Sequence, residues 1–272
     1  MTLSHLDKGL ARNNEHLFKK ERRFLIRLLT GQPKTCYENL SLDEIISRCC
    51  ARLSLVTLRF WRVNGASVVV GYGNECAKTV DIVACKNSRV RIIRRFSGGG
   101  SVFLSEKCLN YTIIIPQTLS NGLRHISPSF QAINGMVVDT LKEFQLPAKV
   151  EEDTDVAVNS RKIAGSSQSR RWGVLCHQGT ILIESETENI EKLIKNPTKQ
   201  PKYRNGRTHK DFLTSLKQER EEIDDKLFER RLKSRMSLFL KQRLRLPIIE
   251  TQVLTEEERN LNKATQLITH II

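Results

Sequence analysis

The spacing of hydrophobic residues predicts helices in three parts of the chain. Ser41 and Glu44 form a capping-box sequence before an apolar helical face made of Leu42, Ile45, Ile46 and Cys49. A second helix begins at Ser127, with Pro128 at its first position and apolar residues at three- and four-residue steps: Phe130, Ile133, Val137, Leu141 and Phe144.

The C-terminal part predicts two more helices. Residues 217–245 are highly charged and carry an apolar seam made of Ile223, Leu227, Met236, Phe239 and Leu240. Thr255 and Glu258 form a second capping box before a last helix with an apolar face of Leu261, Ala264 and Ile268.

Short β-rich segments separate these helices. "LSLVTLRFW" and "ASVVVGYG" flank an Asn-Gly pair, which predicts two strands joined by a tight turn. "RVRIIRRF" and "LNYTIIIP" predict two further strands, and "DVAVNSRKIAGSSQ" and "GVLCHQGTILIE" predict a second β-rich pair. Because strands are grouped between helices, the order favours an α/β fold of the α+β type, with a mixed, largely antiparallel sheet and helices on one side.

The two ends of the chain are more polar than its middle. "HLFKKERRFLIRLL" fits either a short amphipathic helix or part of a solvated extension. From Pro197 onwards, "NPTKQPKYRNGRTHKDFL" is polar, basic and rich in turn residues, which predicts a surface segment. We therefore expect a basic N-terminal extension (1–36), a central domain (37–216) and a helical C-terminal segment packed on it or appended to it (217–272).

Composition adds a strong positive charge and reduced thiols. The net charge of +15 implies a polyanionic or acidic partner. The seven cysteines include no C-x-x-C pair, so neither a disulfide framework nor a zinc site is expected. We expect a cytoplasmic protein whose cysteines are reduced thiols. No apolar run approaches the roughly 20 residues of a membrane span, and the first residues lack the pattern of a secretory signal.

Three stretches carry candidate chemistry. Gly98, Gly99 and Gly100 follow a strand that ends with two arginines, and exposed N–H groups of such a loop cradle anions. Because neither P-loop nor dinucleotide-binding spacing is present, the glycines fit a phosphate site or a flexible turn. Lys162 fits either of two roles: an exposed lysine on the surface of a hairpin, or a site residue that neutralises the charge of a phosphate or a carboxylate.

His177 and Cys176 are the third candidate. His177 fits an acid–base group or a structural histidine. Cys176 is a nucleophile only if a base or a lowered pKa activates it.

In order along the chain, the motifs R-R-x-S-G-G-G-x-V, L-N-Y, D-x-x-V-x-x-R-K-I-x-G-S and H-x-G-T-x-L resemble the biotin/lipoate protein ligase superfamily. The chain is most similar to a divergent subgroup of the lipoate–protein ligase A family, over roughly residues 37–216. The resemblance implies a catalytic domain like that of class II synthetases. It also implies an enzyme that activates lipoate or octanoate with ATP and Mg²⁺ and transfers the acyl group to a lysine of a lipoyl carrier domain.

The resemblance also implies roles for individual residues. Lys162 is the expected catalytic lysine, in contact with the carboxylate and the α-phosphate. Asp155 is the expected neighbour of adenine and a Mg²⁺ ligand. The residues expected to bind ATP and the acyl-adenylate are Arg95, Ser97, Gly98, Gly99, Gly100, Ser101, Val102, Phe103, Asn110, Asp155, Lys162 and Gly165. The residues expected to line an acyl tunnel are His177, Gly179 and Thr180.

The chain departs from the family pattern in two places, and these keep alternatives open. Residues 104–108 read Leu-Ser-Glu-Lys-Cys where the family has His-Asp-x-Gly-Asn. The usual accessory domain is not evident, which suggests a partner subunit. The alternatives are an ATP-independent octanoyl or lipoyl transferase that uses a cysteine, biotin ligation and a non-catalytic homologue.

The charge distribution favours an acidic carrier domain over nucleic acid. Most basic residues lie outside the motif core, and no platform of stacking aromatic residues accompanies them.

Overall fold

The structure, a computed structural model, describes residues 24–31, 35–119, 121–197 and 199–265. In chain order the strands are β1 (Leu25–Leu29), β2 (Leu55–Trp61), β3 (Ser67–Val70), β4 (Arg91–Arg94), β5 (Val102–Leu104), β6 (Cys108–Pro116), β7 (Ala148–Glu151), β8 (Asp155–Val158), β9 (Arg161–Ser169), β10 (Val174–Leu182) and β11 (Ile248–Thr251). The α-helices are α1 (Cys36–Leu53), α2 (Cys76–Thr79), α3 (Ile82–Asn87), α4 (Ile126–Glu143), α5 (Thr187–Leu193), α6 (His209–Phe212), α7 (Leu216–Glu219), α8 (Asp225–Leu244) and α9 (Glu256–Thr265).

The strands form two sheets. The larger sheet has eight strands in the order β11-β1-β2-β6-β10-β9-β8-β7, and the smaller has three in the order β4-β3-β5. Only the pairs of β1 with β11 and with β2 are parallel in the larger sheet, and its other five pairs are antiparallel. The predicted mixed, largely antiparallel sheet is therefore confirmed.

Helices cover both faces of the larger sheet rather than one. On one face, Ile113 of β6 packs in a core cluster with Val137 of α4 and Phe228 of α8. On the other face, the adjacent Ile114 packs with Ile46 of α1. Successive residues of a strand point to opposite faces, and both faces are covered here, so β6 is buried along its whole length. This burial on both faces explains why its apolar residues are consecutive and do not alternate with polar ones.

The helical interpretation of "HLFKKERRFLIRLL", one of the two left open, does not hold at Leu25–Leu29, which form strand β1 in the interior of the larger sheet. The earlier part of that stretch lies outside the described residues. Strands β2 and β11 pair with both edges of β1 and satisfy its backbone groups, which outweighs the helical spacing of its leucines. Both segments that flank the expected central domain thus contribute a strand to one sheet.

The helix boundaries also differ from the predictions. Helix α1 begins six residues earlier than expected, because Thr35 and Glu38 form the capping box in place of Ser41 and Glu44: each backbone N–H donates to the other side chain, at 3.2 Å. Helix α4 begins at Ile126, so Pro128 is its third residue. The capping box of Thr255 and Glu258 is confirmed by the same reciprocal bonds, while Ile268 lies outside the described residues.

The predicted hairpin of two strands around Asn64-Gly65 is wrong. Strand β2 pairs with β1 and β6 in the larger sheet, whereas β3 pairs with β4 and β5 in the smaller one. All four residues of β3 are buried, so packing between the sheets separates the two strands that the turn sequence joins.

The charged C-terminal helix is confirmed over Asp225–Leu244. Its buried seam repeats strictly at every fourth residue: Phe228, Leu232, Met236 and Leu240. Leu227 and Phe239 of the predicted seam are only partly buried. No helix within the described ranges combines the length and apolar character needed to cross a bilayer.

Candidate active site

A cavity of about 710 Å³ lies where the two sheets meet. Residues of the smaller sheet, the β4–β5 loop, strands β9 and β10 and the segment before α7 line it. Of the residues predicted for the site, those that line the cavity are Arg95, Gly99, Gly100, Ser101, Val102, Phe103, Asp155, Lys162, Gly165, Gly179 and Thr180. Those that do not are Ser97, Gly98, Asn110 and His177.

The three consecutive glycines form the turn from β4 to β5. Gly99 has a φ of +84°, a conformation that strongly favours glycine. Its carbonyl oxygen approaches Gly71 so closely that a Cβ on Gly71 would lie 2.0 Å away. The loop therefore needs glycine for its own conformation and for the approach of strand β3, whereas Gly98 and Gly100 face open space.

The side chain of Arg95 fastens this loop from inside. Its Nη2 donates to the carbonyl oxygens of Gly98 at 2.5 Å and Gly100 at 2.8 Å, and its Nε donates to Ser97 Oγ at 3.0 Å. Arg95 is 7% exposed and has no carboxylate partner among the residues that the structure describes. Burial lowers its pKa to about 10, so the guanidinium stays charged at neutral pH.

A buried cation without a counter-ion is costly, and a bound anion lowers that cost. Because Arg95 lines the cavity, its charge favours an anionic ligand there.

Lys162 and Asp155 form an ion pair at the wall of the cavity. They lie on the adjacent strands β9 and β8, with Lys162 Nζ 2.7 Å from Asp155 Oδ1. A Cβ on Gly165 would lie 2.8 Å from that Nζ, so the glycine leaves space for the lysine side chain. The backbone of Lys162 is also held, because its carbonyl accepts from the N–H of Thr214 at 2.9 Å. The ammonium is thus fixed in place while 28% of the side chain stays exposed.

Asp155 is not placed as a metal ligand. Its Oδ1 faces Lys162 and accepts from Thr154 Oγ1 at 3.1 Å, while its Oδ2 accepts from the hydroxyl of Tyr203 at 2.9 Å. No group of three or more His, Cys, Asp or Glu side chains in the described ranges is arranged to hold a metal ion. The predicted role of Asp155 as a Mg²⁺ ligand therefore does not fit this geometry.

His177 lies on the opposite face of the sheet from the cavity. It is fully buried, stacks on Tyr111 with ring centroids 5.7 Å apart, and its Nδ1 is 3.0 Å from Gln168 Nε2. Burial lowers its pKa to about 3, so the ring is neutral near pH 7. His177 is therefore a buried structural residue and does not line the cavity.

The next strand residue, Gln178, points into the cavity instead and belongs to a buried network that the sequence did not reveal. Its Oε1 accepts from Ser97 Oγ at 2.6 Å, and its Nε2 donates to Asp43 Oδ2 at 2.6 Å. Asp43 also pairs with Arg59 at 2.6 Å, both side chains being fully buried. The network connects helix α1 to the glycine loop through Ser97 and Arg95. The sequence carries no signal for this role, because Asp43 stands directly before Glu44 in a helix.

The polar segment after Pro197 is exposed at many of its residues, as predicted, but part of it forms the cavity wall and is buried there. Arg204 is 3% exposed and His209 6%. The guanidinium groups of Arg204 and Arg207 stack on the ring of Phe212, 4.9 and 5.3 Å from its centroid. Such stacking partly compensates the desolvation of the charges, which composition alone does not indicate.

The cysteines are all present as thiols, and all seven lie in the described part of the chain. None of them lines the cavity. Cys108 and Cys176 are fully buried, and this burial raises the pKa of Cys108 to about 11 and that of Cys176 well above its usual value. Neither thiol is activated for nucleophilic attack.

Residues 104–108, which depart from the expected pattern, serve the wall of the cavity and its support. Leu104 lines the cavity, and the hydroxyl of Ser105 donates to Glu186 Oε1 at 2.6 Å. Cys108 begins strand β6 in the core.

The fold resembles solved lipoate ligases. It superposes on a lipoate-protein ligase A bound with ATP with a TM-score of 0.72 and 20% identity, covering 89% of this chain and 94% of that one. A bipartite lipoate protein ligase of Thermoplasma acidophilum, described along with its E2 lipoyl domain, gives a TM-score of 0.70 and 22% identity over 89% and 92% of the two chains.

Sequence comparison finds both ligases and transferases. The chain is 28% identical over 170 residues to a lipoate-protein ligase A relative from Aeropyrum pernix, covering 62% of this chain and only 61% of that protein. It is 26% identical over 186 residues to the octanoyltransferase LipM of Staphylococcus epidermidis, covering 60% and 67%. The family model described as the lipoyl protein ligase A/B catalytic domain matches residues 35–237. Because that match spans well over half of the sequence, the chain belongs to the lipoyl protein ligase A/B catalytic-domain family.

Proposed function

We propose that the protein is an ATP-dependent acyl-activating ligase of this family. It joins the carboxylate of lipoate or octanoate to ATP and passes the acyl group to a lysine of a lipoyl carrier domain. The observation that carries the proposal is the pair of cations, Arg95 and Lys162, at one cavity without a cysteine.

In the first step, an oxygen of the fatty-acid carboxylate attacks the α-phosphorus of ATP. A bond from that oxygen to phosphorus forms, the bond to the bridging oxygen of the β-phosphate breaks, and pyrophosphate leaves. Both reactants are anions, so catalysis requires their charge to be neutralised and their atoms aligned.

Lys162 is suited to bring the two anions together. Only one of the three ammonium N–H donors is needed for Asp155, and the others are available to the carboxylate and the α-phosphate. Arg95, held inside the loop, supplies a fixed positive charge beside the glycine N–H groups. In the second step, the carrier's lysine amine attacks the acyl carbon, an amide bond forms and AMP leaves.

The octanoyltransferase relatives favour a second candidate function, ATP-independent acyl transfer through a cysteine. That chemistry needs a thiolate in reach of the acyl carbon. The buried, protonated Cys108 and Cys176 therefore support the ligase over the transferase.

The proposed carrier is an acidic lipoyl domain. The Thermoplasma acidophilum relative is bipartite and is described along with its E2 lipoyl domain, which supports both a carrier of this kind and an accessory subunit. The net charge of +15 would steer an acidic domain to the protein, so carrier modification is expected to slow as ionic strength rises.

The proposal is tested by pyrophosphate release. The protein is incubated with ATP, Mg²⁺ and lipoate, octanoate or biotin, and a ligase releases pyrophosphate with one of these acids. Lys162→Ala should abolish release, whereas Lys149→Ala, a control at a side chain 62% exposed on the nearby strand β7, should retain it. Acyl exchange between carriers without ATP, stopped by Cys176→Ser or Cys108→Ser, would establish the transferase instead.

A further inference from the structure

Two adjacent apolar side chains, Ile82 and Val83, lie exposed beside the mouth of the cavity. Val83 is 69% exposed and Ile82 is 44% exposed. They begin helix α3 and follow closely on Thr79, which lines the cavity. Contiguous apolar surface next to a ligand site favours an interaction with another molecule.

Backbone hydrogen bonds fix the start of helix α3 at the cavity wall. The N–H of Asp81 donates to the carbonyl of Leu193 at 3.0 Å, and the N–H of Lys195 donates to the carbonyl of Thr79 at 3.0 Å. Thr79 and Lys195 both line the cavity. The exposed apolar pair therefore belongs to the rim of the cavity and not to a distant surface.

Helix α3 turns Val83 and a cation outwards. Cys85 is 1% exposed and packs in a core cluster with Leu193. Residues two positions apart on a helix point in nearly opposite directions, so Val83 faces away from that core. Lys86 is exposed and lies one turn after Val83, on the same side of the helix.

The facing side of the mouth is strongly basic. From Lys192 to Lys210 the chain carries seven Lys or Arg residues and no Asp or Glu. Lys195 and Lys199 of this run are exposed and line the cavity. Lys195 Nζ is held at the rim, because it donates to the carbonyl of Ala77 at 2.8 Å.

The carboxylates around the mouth are engaged locally. Glu75 pairs with Lys78 at 2.9 Å, and Asp81 accepts from a backbone N–H of helix α3 at 2.8 Å. Glu191 accepts from the backbone N–H of Lys210 at 3.1 Å. Cations outnumber these carboxylates, so the mouth suits an acidic partner.

We propose that Ile82, Val83, Lys86, Lys195 and Lys199, together the mouth surface, form the docking site of the acidic lipoyl carrier domain. The inference rests on the proposed ligase function and adds to it the place where the protein substrate binds. The carrier's lysine amine has to enter the cavity to reach the acyl carbon, so the carrier lies against the mouth. An apolar centre with a charged rim is the usual anatomy of a protein interface, in which the charges orient the partner.

The test separates docking from activation. Activation is measured without a carrier, as exchange of pyrophosphate into ATP in the presence of lipoate or octanoate. Docking is measured as the KM for a lipoyl domain of net negative charge, with acyl-carrier formation followed by mass spectrometry. Val83→Asp should raise this KM about tenfold, as expected at the centre of an interface. Lys86→Glu should also raise it and weaken its dependence on ionic strength, and both variants should keep the exchange rate.

Two exposed residues on the other face of the larger sheet provide matched controls. Ile126 is 62% exposed at the start of helix α4, and Lys241 is exposed on helix α8. Ile126→Asp and Lys241→Glu make equivalent changes of polarity and net charge away from the mouth. Both should leave the carrier KM unchanged.

The outcomes separate the inference from the function on which it rests. An unaltered protein that shows no exchange with lipoate or octanoate overturns the proposed ligase and the inference together. Normal exchange with a carrier KM that survives Val83→Asp and Lys86→Glu overturns only the inference, and so does an equal rise in the two controls. A Val83→Asp effect confined to the sedimentation velocity of the protein alone would assign the surface to a second copy of this chain and overturn the inference as well. If Val83→Asp does not melt cooperatively, Lys86→Glu and its control Lys241→Glu decide.

Discussion

Replacing Asp43 by asparagine probes the buried network beneath the glycine loop. Asp43 Oδ1 accepts from Arg59 Nη1 at 2.6 Å, and its Oδ2 accepts from Thr112 Oγ1 at 2.8 Å and Gln178 Nε2 at 2.6 Å. Asp43 and Arg59 are both fully buried. Asparagine keeps the shape of the side chain but removes its charge and turns one acceptor into a donor.

The expected loss of stability follows from the charge of Arg59, which stays buried without its partner. Removing one member of a buried ion pair leaves an uncompensated charge and costs about 3–5 kcal/mol. Burial also lowers the pKa of Arg59, although the nearby carboxylate of Asp43 raises it, so this guanidinium depends on Asp43. We therefore expect Asp43→Asn to lose about 3–5 kcal/mol, a large share of the 5–15 kcal/mol typical of a domain.

Urea unfolding followed by circular dichroism measures this change. The matched control is Asp225→Asn, because Asp225 pairs with Arg62 at 3.1 Å but is 37% exposed. An exposed pair contributes at most about 1 kcal/mol. Equal, small losses in Asp43→Asn and Asp225→Asn would refute the reasoning, since burial would then confer no special dependence on the pair.

Three further predictions concern the site and its support. Tyr203→Phe removes the hydroxyl that donates to Asp155, and we expect kcat for pyrophosphate release to fall about tenfold with little change in melting temperature. Gly179→Ala would place a Cβ 2.1 Å from the ring of Tyr111, so we expect a loss of about 1–3 kcal/mol in urea unfolding. Cys176, whose pKa burial raises, should resist iodoacetamide at pH 7.5 in the folded protein, as followed by mass spectrometry.

Each of these predictions has a comparison within the chain. Tyr72→Phe changes a tyrosine that is 54% exposed and should leave kcat unaltered. Gly135→Ala adds a Cβ into open space on helix α4 and should be neutral or stabilising. The half-buried Cys76 should be alkylated before the fully buried thiols. For each prediction, an equal effect at the test residue and at its comparison residue would show that the local contacts named above do not cause the effect.

The sequence motifs identify most of the residues that line the cavity, but not the role of each residue there. The order of the glycine loop and the strand of Lys162 is visible in the chain, and both do line one cavity. Arg95 is different, because its hydrogen bonds go to the carbonyls of its own loop. His177 occupies a motif position and yet points to the other face, since neighbouring strand residues alternate. Sequence spacing gives the strand, and only packing gives the face that meets the ligand.

The sequence by itself determined the mixed sheet, the long amphipathic helices and the family, because these depend on local periodicity and on motifs read along the chain. Only the tertiary structure decided which distant residues meet. It placed β1 and β11 side by side in one sheet, Asp43 under the glycine loop, Tyr203 against Asp155, and His209 at the cavity. These contacts join residues far apart in the chain, and their free energy comes from desolvation and precise geometry, which no local pattern records.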